Sequence, residues 1–279
     1  MEVKLQEINQ LSLIFKSGSR TFYNSSKFFP KPYRKQVIVL YAFVRSVDDF
    51  VDSIPQMTED YYKFKQDYNL CLKNQKADNL VIKSFVKLKQ ELKLPDSWIE
   101  AFFSSMEMDL NKKVYYSIDE VKQYMYGSAE IIGLIMCKIM KLPEKSYPYA
   151  CLVGRAFQYI NFIRDIQEDI HLNRNYFPRQ DYQKFNIVSK SLDESQNNSE
   201  QMINFIRYQI NRSRQWLDQG EYGFRYIPHR FLVPIRTASS MYRWTLDKID
   251  VNPLIVYNEK IKPNKLKILQ YGLKNLIYF

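Results

Sequence analysis

The sequence predicts an all-α fold, a single helical bundle, on three observations. Apolar residues recur at steps of three and four between prolines that sit where helices end. Only seven glycines occur in 279 residues, too few for the many tight turns of a β architecture. Two rows of oxygen-bearing side chains lie inside segments that are otherwise strongly apolar. The chain is long for one domain, but no composition shift marks a second core, so residues 1–279 are read as one unit.

Taken in order, the elements follow from that pattern. Val37, Leu40, Tyr41, Val44 and Val47 to Val51 define a helical face. The stretches Ile118 to Met140 and Tyr147 to Ile170 are apolar almost all round, as central helices are. Segments 33–53, 118–140 and 147–172 are therefore placed at the middle of the bundle. Asn186 to Glu200 is rich in Ser, Asn, Asp and Glu and reads as a solvated connection. The last segment carries Leu266, Leu269, Leu273, Leu276 and Ile277 on one face, with Lys265, Lys267 and Lys274 elsewhere. That face is expected to pack on the bundle, with a membrane surface as the alternative partner. The 22 tyrosines and 18 phenylalanines are read first as core, and second as the lining of a long apolar cavity.

Composition narrows the function. A formal charge of +11 favours anionic partners, whether phosphorylated substrates, acidic lipid or nucleic acid. The basic residues are dispersed and form no nucleic-acid motif, so nucleic acid is not expected. Three cysteines at no ligand spacing fit reduced thiols, and two histidines make a zinc site improbable. The longest apolar run, Ile131 to Met140, is broken by Lys138 and is too short to span a bilayer. A cytoplasmic protein, with a peripheral membrane visit left open, is the expectation.

The chemistry-bearing residues lie on two of the central helices. Asp48 and Asp52 are four apart and share a helical face, with Arg45 one turn below. Asn161, Asp165 and Asp169 also step by four, with Gln158 close to the same face and Arg164 alongside. Carboxylates inside an apolar bundle cost several kcal/mol, roughly, unless a cation or an arginine neutralises them. Oxygen ligands without His or Cys point to Mg²⁺, with Mn²⁺ as a substitute, shared with substrate phosphates. A structural network of ion pairs is the plainer alternative.

These same residues resemble the squalene/phytoene synthase family. Tyr41-Ala-Phe-Val-Arg45-Ser-Val-Asp48-Asp49-Phe-Val-Asp52 is similar to its first aspartate motif. Gln158 to Asp169, followed by Asn173-Arg174-Asn175-Tyr176-Phe177-Pro178, is similar to its second. Ser19-Arg20-Thr21-Phe22-Tyr23, the helix around Tyr124, Gly127 and Gly133, and Tyr242 agree with three further family segments, in order. Two departures are Glu130, where many relatives carry a small or apolar residue, and Gly18 before the serine segment.

The resemblance implies the isoprenoid-synthase type of bundle, with a central active-site cavity holding two prenyl diphosphates head to head. It implies Mg²⁺ on Asp48, Asp52, Asn161, Asp165 and Asp169, and substrate contacts from Ser19, Phe22, Arg45, Gln158, Asn161, Arg164 and Arg174. Tyr41, Tyr242 and Phe22 would face carbocations, although each could equally be core filling. Ser26 is small and Ile38 is not aromatic, so if both line the tunnel it admits a C20 tail. Geranylgeranyl diphosphate and phytoene are then expected, ahead of farnesyl diphosphate with squalene or dehydrosqualene. No G-x-G-x-x-G stretch is present, and NADPH is not expected. A class I terpene cyclase and an inactive scaffold protein are the rival readings; the first lacks the Gln158 to Pro178 pattern, and the second usually loses its aspartates.

Overall fold

Proline, asparagine and serine side chains set where many of the helices begin. The computed structural model describes residues 5–18, 20–75 and 78–277, and no strand occurs among them. The first half contains α1 (Leu5–Gly18), α2 (Arg20–Ser25), α3 (Lys31–Asp52), α4 (Thr58–Leu72), α5 (Leu80–Leu92) and α6 (Asp96–Asn111). Then come α7 (Ile118–Met125), α8 (Ile131–Met140), α9 (Tyr147–Arg164) and α10 (Ile166–His171). The chain continues through α11 (Arg179–Lys184), α12 (Leu192–Asn197), α13 (Ser199–Glu221), α14 (His229–Val251) and α15 (Lys265–Ile277).

Pro30, Pro95, Pro178 and Pro228 stand at the N-caps of α3, α6, α11 and α14, where their missing N–H costs nothing. Pro234 is the exception, lying inside α14. Asn79 caps α5 by accepting from the N–H groups of Val81 and Ile82, and Ser117 caps α7 through Glu120 N–H.

The three central segments hold as expected. α3 buries Val37, Ile38, Leu40, Phe43, Val47 and Val51. Residues 118–140 form one rod, in which a π-helical turn at Tyr126–Glu130 joins α7 to α8. Backbones meet at that turn. A methyl group on Gly127 would collide with the carbonyl oxygen of Ala101 in α6, and one on Gly154 of α9 would lie 2.6 Å from that of Ala129. The Asn161 to Asp169 row is bent rather than straight: Asp165 (φ −102°, ψ 20°) divides α9 from α10. The four-residue ladder nevertheless continues, from Asp165 N–H to Asn161 O at 2.8 Å and from Asp169 N–H to Asp165 O at 2.9 Å.

Two apolar clusters flank a cavity. One gathers α1, α3 to α6 and α8, and the other α7, α9 and α13 with parts of α10, α11 and α14. Two expectations need correction. The 186–200 tract is not merely solvated, because α12 folds there, Lys190 and Ser195 are buried, and the Lys190 carbonyl accepts from Tyr257 Oη. α15 does pack on the bundle, but through Ile268 and Gly272. Its leucines 266, 269, 273 and 276 point outward, about half exposed or more. Among the described residues no helix is long and apolar enough to cross a membrane.

Candidate active site

α3, α9, α10 and α14 aim their polar residues at one cavity of about 1280 Å³. Asp48 and Asp52 line it from α3, and Gln158, Asn161, Arg164, Asp165 and Asp169 from α9 and α10. Arg45, Arg174, Tyr41, Phe22 and Tyr242 also reach it. Ser19 lies outside the described residues. Beyond the acids the walls turn apolar, with Leu40, Ile132, Met136, Met140 and Ile235 among them. Typical small-ligand pockets occupy about 300–1,000 Å³, so this cavity lies above the usual range.

Basic side chains pair with Asp52, Asp165 and Asp169. Arg174, itself buried, donates to Asp52 Oδ1 at 2.6 Å and to the Val51 carbonyl. Arg164 grips Asp165 with two bonds of 2.7 and 2.6 Å. Lys260 bridges Asp165, at 3.1 Å, and Glu168. Lys190 reaches Asp169 at 3.4 Å from the connection after α11. Arg45 pairs with the exposed Asp49, one helical turn along, not with Asp48.

These pairings set the electrostatics. Burial pushes Asp165 up, but Arg164 and Lys260 outweigh it and hold the carboxyl below the usual range. Asp48 is raised by burial and by the charge of Asp52, against the pull of Arg45. Asp169 is raised by burial despite Lys190, whose ammonium burial destabilises in turn.

Asp109, which the sequence reading overlooked, stands behind the first row. It is 4% exposed and accepts from Tyr124 Oη at 2.7 Å and Tyr176 Oη at 2.6 Å. Burial pushes it up to about 6, although Arg174 and both tyrosines favour its charged form. A signal was available, since Asp109 continues the face of Phe102 and Met106 on α6. Lys190 and Lys260 gave no comparable signal.

An aromatic series closes the roof. The Phe22 ring centroid lies 6.5 Å from Tyr41 and 5.9 Å from Tyr242, which stacks on Phe157 at 4.0 Å. Tyr242 Oη is 3.4 Å from Asn161 Oδ1, and burial pushes its hydroxyl up to about 12. Of the two residues on which the C20 argument was conditioned, Ser26 lines the cavity. Ile38 does not, because it is buried in the core while Val37, one residue back, reaches the wall. Glu130, the departure from the family pattern, is buried against Arg155 at 2.7 Å. Gly18 gives space to the Arg45 side chain, which lies 2.5 Å from where its Cβ would be.

The family model described as squalene/phytoene synthase matches residues 15–267, from the end of α1 to the start of α15. The chain belongs to the squalene/phytoene synthase family. It is 25% identical over 270 residues to a 15-cis-phytoene synthase of Synechocystis sp., covering 90% of this chain and 80% of that one. Another 15-cis-phytoene synthase, from Enterobacter agglomerans, is 26% identical over 243 residues, covering 81% of this chain and 80% of the relative. Among solved structures, a dehydrosqualene synthase in complex with ligand superposes with a TM-score of 0.87 at 18% identity. The match covers 98% of this chain and 96% of that one. A squalene synthase from Alicyclobacillus acidocaldarius gives a TM-score of 0.75 at 20% identity, covering 88% and 95%. The family member described here therefore has the isoprenoid-synthase fold that the family resemblance implied, on the all-α bundle expected from its helical pattern.

Proposed function

We propose that this family member joins two prenyl diphosphates head to head, with geranylgeranyl diphosphate as substrate and phytoene as product. One observation carries the reading: two rows of acids face the polar part of a cavity whose remaining walls are apolar. That division matches an amphiphile with an anionic head and a long hydrocarbon tail. The relatives named as phytoene synthases support the same class of substrate.

The donor set suits Mg²⁺. The two rows offer carboxylate and amide oxygens to the cavity. A cation here would take one or two carboxylates and fill its shell with water and phosphate oxygens, which is how Mg²⁺ binds. Asp48 and Asp52 in one row, and Asn161, Asp165 and Asp169 in the other, would hold separate Mg²⁺ ions, which when bound would neutralise charge building on the departing diphosphate.

The chain's own residues supply the rest. Arg45, Arg164 and Arg174 orient the diphosphates, and Gln158 and Asn161 offer neutral oxygens and amides beside them. The C1–O bond of one substrate breaks, its electron pair leaves with diphosphate, and the allylic cation attacks the double bond of the second molecule. Loss of a proton closes a cyclopropylcarbinyl diphosphate. A second ionisation and rearrangement, ended by proton loss, gives the linear product without a reductant. Phe22, Tyr41, Phe157 and Tyr242 present ring faces that stabilise positive charge and keep water from quenching it.

Because Ile38 lies in the core, the argument for a C20 tail rests on Ser26, and farnesyl diphosphate belongs in the test. Purified protein is incubated with Mg²⁺ and each diphosphate, with and without NADPH. A C40 hydrocarbon from geranylgeranyl diphosphate without NADPH is expected. Product from farnesyl diphosphate alone overturns the chain length, and no product from either overturns the enzyme. Asp48→Asn and Asp165→Asn should each cut turnover at least about a hundredfold with the helical spectrum intact; a fully active variant removes that residue from the metal set.

A further inference from the structure

The outward face of α15 gathers four exposed leucines on one side of a single helix. Leu266 is 70% exposed, Leu269 51%, Leu273 49% and Leu276 50%. Steps of three, four and three place the four on one side of the helix. The opposite side anchors it: Ile268 is 4% exposed, Gly272 sits against the Phe28 ring, and Asn275 approaches Thr237 at 3.5 Å. The outward orientation is therefore fixed by packing.

We propose that this leucine face docks the protein on an anionic lipid bilayer. The charge around it favours that occupant. α15 contains lysines at 265, 267 and 274 and no acidic residue. At its far end Leu276 shares a surface depression with Phe28, Pro30, His229 and Arg230. Lys27 and Lys31, beside Phe28 and Pro30 in the chain, are exposed. Leucines with a basic border describe a helix that lies in the headgroup region of acidic membranes.

A second copy of the chain fits less well. Each copy carries a formal +11, so two such faces repel. Four leucines on a 13-residue helix also fall well short of the roughly 800 Å² per partner of a standard protein interface.

Position gives the docking a purpose. Pro263, Asn264, Lys265 and Ile268, at the start of α15, line the cavity itself. One element thus walls the cavity and meets the lipid, so a hydrocarbon leaving past it enters the bilayer without crossing water. Delivery of product rests on the proposed condensation. The docking itself does not.

Vesicles of equal parts phosphatidylglycerol and phosphatidylcholine, and of phosphatidylcholine alone, test the proposal by co-sedimentation. Wild-type protein should bind the anionic vesicles, less so as salt rises. Leu269→Glu/Leu273→Glu should bind at least about tenfold more weakly, while Leu269→Met/Leu273→Met, which keeps the apolar surface, should bind as wild type does. No binding by the wild type, or equal binding by the glutamate variant, overturns the proposal. So does a dimer in sedimentation velocity that the glutamate variant dissolves, which would assign the face to self-association. Vesicle binding without hydrocarbon product would leave the docking standing and the condensation refuted, and the converse would separate them the other way.

Discussion

Asp109 offers a perturbation whose size follows from the structure. Replacing it with asparagine keeps the shape and removes the ionisation. In the folded protein its carboxyl is pushed up to about 6, against 3.8 when unperturbed. The difference is roughly two pH units, each about 1.4 kcal/mol, so an ionised Asp109 costs the fold about 3 kcal/mol. Below the unfolded value the group is protonated in both states and contributes nothing. Between the two values the folded state holds the extra proton, so stability falls as pH rises, and above the folded value the loss is complete.

The stability of Asp109→Asn minus that of wild type should therefore climb by about 3 kcal/mol from about pH 4 to about pH 7. Urea unfolding of both proteins across that range measures it. Asp169 titrates in both forms and drops out of the difference to first order, whereas Asp48, which the charge of Asp109 helps to raise, is relieved in the variant and adds a smaller change of the same sign. The constant part of the difference reflects the tyrosine hydrogen bonds, at 2.7 and 2.6 Å, which an amide replaces imperfectly. A difference that stays flat with pH, or declines, would refute the electrostatic account of this site.

Three further outcomes are expected. Lys190→Met leaves Asp169 buried without its cation, costing about 1–3 kcal/mol, and Mg²⁺ should then raise the unfolding temperature more than it does for wild type; equal shifts would count against Asp169 as a ligand. Gly127→Ala forces a methyl against the Ala101 carbonyl and should cost about 1–3 kcal/mol or more in thermal unfolding, so a loss below about 0.5 kcal/mol would mean the contact yields easily. Ser26→Phe fills part of the cavity wall and should lower turnover of geranylgeranyl diphosphate relative to farnesyl diphosphate in competition assays; an unchanged ratio would place the tail elsewhere.

Periodicity was enough to read a helical bundle and the two acid rows, because a step of four residues on a helix fixes direction whatever the tertiary context; the isoprenoid-synthase type came from the family resemblance. It was not enough for the partners of those acids. Lys190 comes from a polar tract, and Lys260 from the stretch before α15, where chain spacing says nothing about which side chain turns inward. Ile38 shows the margin for error on a helix: its neighbour Val37 lies about 100° away, and that rotation separates cavity wall from core. α15 failed in the opposite sense, because its leucines were assumed to seek the bundle while Ile268 and Gly272 made the contact. Hydrophobicity alone does not say which of two apolar faces is buried.

The π-helical turn at Tyr126–Glu130 has a mechanical consequence. It is held at backbone distance on both sides, by Ala101 opposite Gly127 and by Gly154 opposite Ala129. Ser128 and Ala129 of that turn line the cavity, so this stretch of lining behaves as an anvil that does not give way to a ligand. Accommodation of longer or shorter tails therefore falls to the rest of the lining, which includes Phe22 and Ser25 of α2 and Lys265 and Ile268 of α15.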